Sequence, residues 1–125
     1  MIERGMPLET RGAAASSLRA PGRLRSVLMS RPAKLDAGTI DAFLVAHEGW
    51  ARSGDALTRA YSFADFSAAL GFVVRVGLAA ERKDHHPDLE LGWGKARVRW
   101  TTHDAGGITA LDLELAETTD ALSRG

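Results

Sequence analysis

The chain has 125 residues, with 16 basic and 16 acidic side chains and no net charge. That length suits one domain with a real core, and 45% hydrophobic with 26% charged residues argues against wholesale disorder. The absence of cysteine excludes a disulfide scaffold, a thiolate metal site and a cysteine nucleophile, the neutral balance gives no reason to expect direct nucleic-acid binding, and the apolar runs fall far short of the ~20 residues of a membrane span.

The zero conceals an asymmetry. Residues 1–33 carry six arginines against Glu3 and Glu9, whereas residues 34–125 carry ten basic and fourteen acidic side chains. The chain therefore reads as a basic tail on an acidic body. Gly5, Pro7, Gly12, Pro21, Gly22 and Pro32 punctuate the tail, which predicts disorder with one helical turn over residues 24–29. It is read first as a non-functional extension, with Met29 as an alternative start. An Arg-rich targeting segment and a basic anchor for an acidic partner follow in that order.

The body is patterned. Ile40, Phe43, Leu44, His47 and Trp50 follow helical spacing, with Asp36 or Thr39 as N-cap. Gly49 and Ser53-Gly54-Asp55 turn the chain. Ala56–Ser62 alternates, with Leu57, Arg59 and Tyr61 on one face, and predicts a strand in a hairpin with residues 50–52. Asp65 caps a long helix in which Phe66, Ala69, Leu70, Val73, Val74, Gly77 and Ala80 form the apolar face through about Lys83.

His86-Pro87 breaks that helix. Residues 89–93 and 95–102 then predict two strands about Gly94, the second with Ala96, Val98 and Trp100 on one face and Arg97, Arg99 and Thr101 on the other. After a turn at Gly106-Gly107, Thr109 caps a last helix with Asp112 at the capping-box position, and Leu111, Leu115, Ala116 and Leu122 form its apolar face. The order α-β-β-α-β-β-α predicts an α+β fold: an antiparallel four-stranded sheet with three helices on one face.

Three of the four histidines, His85, His86 and His103, stand where elements end and loops begin. Imidazoles titrate near neutrality, so such a cluster suits proton transfer in both directions. Glu81 lies one helical turn before His85 and Asp84 adjoins it, so carboxylates are at hand to orient an imidazole and fix its tautomer. Two other readings stand beside this one. A histidine at a helix C-terminus can simply answer the helix dipole, and the histidines with Glu81 could form a zinc site. Adjacent histidines diverge in direction, which counts against a shared metal. His47 is read as a packing or surface residue. No Gly-x-Ser-x-Gly elbow or phosphate loop is present.

The run Glu81-Arg82-Lys83-Asp84-His85-His86-Pro87, then Trp93, then Thr101-Thr102-His103-Asp104-Ala105-Gly106-Gly107 and Asp112, resembles the pterin-4a-carbinolamine dehydratase family. The resemblance spans about residues 35–122 and excludes the tail. It implies a hydro-lyase acting on 4a-hydroxytetrahydropterin, the form in which aromatic amino acid hydroxylases release their pterin, with no metal and no bound cofactor. Carried onto this sequence, it implies His85 and His103 as acid and base and His86 as a third member of the catalytic set that mainly positions the pterin. It further implies Glu81, Asp84, Thr102 and Trp93 on the substrate side, with backbone at Thr102 and His103 facing the pyrimidine edge. The sequence departs from the pattern at Asp88-Leu89-Glu90-Leu91, where many relatives have an aromatic, and at Leu111, where some have a basic residue. The resemblance also implies a cytoplasmic homodimer or homotetramer. A non-catalytic dimerisation or assembly partner of the same fold is the alternative.

Overall fold

The computed structural model describes residues 33–125. The expected helical turn over residues 24–29 and the disorder of the tail lie outside the described residues. The elements are α1 (Ala37–Ala46), β1 (Ala51–Ser53), β2 (Ala56–Ser62), α2 (Phe66–Lys83), β3 (Asp88–Gly92), β4 (Lys95–Trp100), a 3-10 turn (His103–Ala105) and α3 (Ala110–Ser123).

The strands form one antiparallel sheet in the order β1-β2-β4-β3. Both hairpins use two-residue loops. Gly54 and Gly94 take positive φ there, at 59° and 68°, as tight hairpin turns require. A Cβ at Gly94 would also lie 3.1 Å from the Phe63 carbonyl.

The caps set the helix boundaries. Asp36 accepts from the Thr39 N–H at 2.8 Å, and Asp65 does the same for Ala68 at 2.8 Å, each answering a donor that has no partner within its helix. The far end of α2 closes differently. Asp84 adopts a left-handed conformation, φ 50° and ψ 43°. The Asp84 N–H bonds the Glu81 carbonyl at 3.1 Å and the His85 N–H bonds the Ala80 carbonyl at 3.2 Å, which is a Schellman closure.

The inner face of the sheet presents Leu57, Tyr61, Ala96, Val98 and Trp100. These pack with Ile40 and Phe43 of α1, Phe72, Val76 and Ala80 of α2, and Leu115 and Ala116 of α3. Fully burying a side chain such as Phe72 contributes about 1.5–3 kcal/mol. Arg59 shares the inner face, as its alternation predicts, with its guanidinium 4.9 Å from the Tyr61 ring centroid and 2.9 Å from Asp120.

The apolar face predicted for α2 needs correction. Its buried residues are Ala69, Phe72, Val76 and Ala80. Phe66, Leu70 and Val74, placed by the sequence on the core face, are 44%, 42% and 49% exposed, with Leu78 at 58%. The apolar positions wrap well over half of this helix, so the spacing rule merged an inner stripe with an outer one.

Candidate active site

The site lies where α2 ends, β4 ends and α3 begins. Its anchor is Asp112, which has no exposed surface. This carboxylate accepts from the Thr109 N–H at 2.9 Å, from the Thr102 hydroxyl at 2.7 Å and from His85 Nε2 at 2.7 Å. The first of these is the reach-back arm of the capping box that the sequence predicts. The other two bring the end of β4 and the loop after α2 to the same carboxylate.

An ionised carboxylate only accepts, so the Asp112 contact places the His85 proton on Nε2 and leaves the Nδ1 lone pair as the acceptor of the neutral ring. The imidazole also lies nearly parallel to the Trp100 ring, with centroids 5.8 Å apart and 9° between planes. The His85 ring is thus held from two sides, by the Asp112 carboxylate and by the Trp100 face.

The expected partner of His85 was Glu81. The structure pairs Glu81 with His86 instead, Nε2 to Oε1 at 2.8 Å, in an exposed contact. The physical reason is the left-handed Asp84, which ends the helical register one residue before His85, so the spacing of Glu81 and His85 no longer puts them on one face. The two adjacent histidines therefore face opposite ways, one inward to α3 and one outward to solvent.

His103 opens the 3-10 turn that follows β4. The turn ends at Gly106, with φ 77°, and a bridge between Thr102 and Gly107 closes it. His103 is exposed and lines a cavity of about 220 Å³ with Asp55, Arg99, Thr101 and the Gly106-Gly107 turn. Thr102 lies between the two catalytic candidates: its side chain holds Asp112, and its successor is His103. Thr102 itself is 7% exposed, so its hydroxyl serves the buried network.

Asp84 is exposed and acts in the helix cap. Trp93 is 72% exposed in the β3–β4 loop. Pairing of Asp88 with Arg99 and of Gly92 with Lys95 puts that loop at the end of the hairpin remote from the histidines, about 16 Å along five strand residues. Within one chain Trp93 is not brought to His85 or His103. Glu81 and His85, which a zinc reading would bring together, have different partners, and among the described residues no three His, Asp or Glu side chains converge to hold a metal.

Sequence reasoning found Asp112 as a cap but missed its bond to His85. The only local signal was an Asp where the capping box usually has Glu or Gln.

Displaced titrations occur elsewhere. Burial, then the Asp120 carboxylate, pushes the Tyr61 phenol far above its usual range. Burial pulls the His47 ring down, but the Phe43 carbonyl and the Glu117 and Asp120 carboxylates outweigh it, so His47 titrates above its ordinary value. The Thr39 N–H holds Asp36 below the usual carboxylate range.

Comparisons with known proteins point to one family. Residues 33–122 fit the family profile described as pterin 4 alpha carbinolamine dehydratase. A protein of Thermomicrobium roseum named "Putative pterin-4-alpha-carbinolamine dehydratase" is 46% identical over 84 residues, covering 67% of this chain and 90% of that one. A protein of the same name from Rhodospirillum rubrum is 40% identical over 91 residues, 71% of this chain and 95% of that one. The crystal structure of a transcriptional coactivator/pterin dehydratase from Brucella melitensis superposes with a TM-score of 0.69 at 34% identity, covering 72% of this chain and 98% of that one. A pterin dehydratase-like protein identified as a RuBisCO assembly factor in the alpha-carboxysome shares the fold, with a TM-score of 0.52 at 16% identity over 62% of this chain and 92% of that one.

Proposed function

This chain belongs to the pterin 4 alpha carbinolamine dehydratase family, and we propose that it removes water from a 4a-hydroxytetrahydropterin, in the cytoplasm, by histidine acid/base catalysis. The C4a–O bond breaks and the hydroxyl, after taking up one proton, leaves as water. N5 gives up its proton, and the freed electron pair closes the C4a–N5 double bond of the quinonoid dihydropterin. The reaction therefore needs one group that delivers a proton and one that accepts it.

His85 and His103 are these two groups. The observation that carries the reading is the Asp112 carboxylate, which binds both His85 and the residue directly before His103. A buried acceptor that fixes the imidazole tautomer is the arrangement proton transfer asks for. His86, steadied by Glu81, faces solvent and positions the pterin. Trp93 has no part in this site within one chain.

The test is a stopped-flow assay of 4a-hydroxytetrahydropterin dehydration. Wild type is expected to accelerate the uncatalysed reaction, and His85→Ala and His103→Ala are each expected to lower kcat by about 10²-fold or more. A wild type that adds nothing to the uncatalysed rate would refute the dehydratase; single variants that match wild type would refute the assigned roles.

The outer stripe of α2 supports self-association. Phe66, Leu70, Val74 and Leu78 make a contiguous exposed apolar face, of the kind that marks an interface. A homo-oligomer is the expected state, read by light scattering, and Leu70→Glu with Val74→Glu is expected to reduce its mass. A monomeric wild type would contradict it.

A further inference from the structure

A cavity of about 310 Å³ lies where the start of α2 meets the end of α3. Phe63, Ser67, Gly71, Arg75, Ser123 and Arg124 are among its walls, and none of them belongs to the Asp112 network. The Arg75 side chain runs back along α2 beside Gly71. A Cβ at Gly71 would lie 3.3 Å from Arg75 Nη1, so the glycine makes room for the guanidinium. Nη2 donates to the Leu122 carbonyl at 3.1 Å, answering one of the acceptors that the end of α3 leaves open. Nε is buried with no acceptor among the described residues.

The protein does not answer the charge of that guanidinium. Among the described residues, the ion pairs of lysine and arginine engage Arg59, Lys83, Arg97 and Arg99, and leave Arg75 and Arg124 without a carboxylate. Asp120, one turn before Arg124, is taken by Trp50, Arg59 and Tyr61. The Arg124 charge opposes the rise of the Tyr61 phenol, and the Tyr61 ring stacks on Phe63 with centroids 6.5 Å apart. This second cation therefore stands on the sheet side of the same cavity. A guanidinium that has lost water on one side without gaining an anion is destabilising, and an anion beside it offsets that loss. Ser67 adds a hydroxyl and a backbone N–H that has no partner within the helix.

We propose that this cavity binds a phosphate monoester, with the two guanidiniums on the phosphate and Phe63 beside the organic part. Arginine carries a fixed charge and a planar fork of donors that matches phosphate oxygens. Two such cations, with no Asp or Glu side chain in the wall, balance the near-dianion that a phosphate monoester is at neutral pH. A carboxylate ligand would neutralise only one of them. The inference does not depend on the dehydratase reading, because it uses neither the histidines nor the residues that hold them.

Titration calorimetry of the full chain with phenyl phosphate, inorganic phosphate and benzoate tests this. Wild type is expected to bind phenyl phosphate with a Kd of about 1 mM or tighter. Inorganic phosphate is expected to bind more weakly for want of the apolar contact, and benzoate about tenfold more weakly than phenyl phosphate. Arg75→Gln is expected to weaken phenyl phosphate by about tenfold or more, and Arg75→Lys to recover part of the loss. Arg124→Gln is expected to weaken it by a smaller factor, since Arg75 is the one held in place by a hydrogen bond. Arg97→Gln, on the outer face of the sheet, is expected to change nothing. Thermal midpoints show whether each variant is folded, and a rise with phenyl phosphate in wild type that Arg75→Gln lacks is the second readout. A wild type that binds no phosphate, benzoate bound as tightly as phenyl phosphate, or an equal loss in Arg97→Gln would each overturn the inference and leave the dehydratase standing.

Discussion

Asp112 and Asp120 stand on the same helix, on the order of 12 Å apart along its axis, and each reaches back to the sheet. Asp112 is fully buried and gathers His85, Thr102 and Thr109. The Asp120 side chain is 17% exposed and gathers the Trp50 indole at 3.0 Å, Arg59 at 2.9 Å and the Tyr61 hydroxyl at 2.6 Å. The device is the same, an acid on α3 collecting donors, and the outcome differs with the donors. An indole or a phenol has one proton to give, and the contact uses it. An imidazole has two nitrogens and Asp112 takes one, which leaves a held and oriented nitrogen on the other side. One cluster uses up its donors in architecture and the other leaves one nitrogen of a held imidazole unspent.

Three experiments set the two clusters against each other. Asp112→Asn changes the shape of the first cluster little but offers an amide where His85 Nε2 needs an acceptor. Its kcat is expected to fall by about 10²- to 10³-fold in the dehydration assay; an unchanged kcat would remove His85 orientation from the mechanism. Asp120→Ala strands the Trp50, Arg59 and Tyr61 donors, and chemical denaturation is expected to show a loss of about 3 kcal/mol. Its kcat/KM per folded molecule is expected to stay within about threefold of wild type, since architecture alone is touched. A large loss of activity at wild-type stability would erase the distinction.

The smallest effect concerns His47, whose Nε2 meets Glu117 at 2.8 Å beside the Asp120 cluster. Its pKa is raised in the fold, so its stabilising contribution is complete below about pH 6.5, the unfolded value, and is lost as pH rises through the raised value. Stability of the wild type is expected to decline across that window. Glu117→Gln is expected to flatten the decline, by no more than about 1 kcal/mol for so exposed a pair. An identical pH profile in the variant would assign the decline to another group.

Much of the fold was legible in the sequence because its boundaries are marked by local chemistry. Asp36, Asp65 and Thr109 announce helix starts, Gly54 and Gly94 announce hairpins, and strict alternation gives β4 its two faces. What could not be read is what depends on distant partners. The face of α2 was misplaced because apolar residues surround most of it, and only packing distinguishes Phe72 from Leu70. The partner of His85 was misassigned because the left-handed turn at Asp84 cancels the helical spacing, and Asp112 arrives from 27 residues away. The 3-10 turn carrying His103 was hidden in what read as a plain turn. The histidine candidates were legible as residue types, and their division into an inner and an outer ring was not.

That division has a consequence for how the segment tolerates change in length. Between the closure of α2 and the start of β3 there are only Asp84, His85, His86 and Pro87. His86 precedes a proline and is held in the extended region, where successive side chains alternate. Which histidine meets Asp112 is then a matter of odd or even count. One residue inserted after Asp84 would turn the inner ring outward and bring its neighbour in, whereas two would restore the phase with a longer loop. Which imidazole turns inward is thus encoded in the arithmetic of a four-residue connection as much as in the side chain itself.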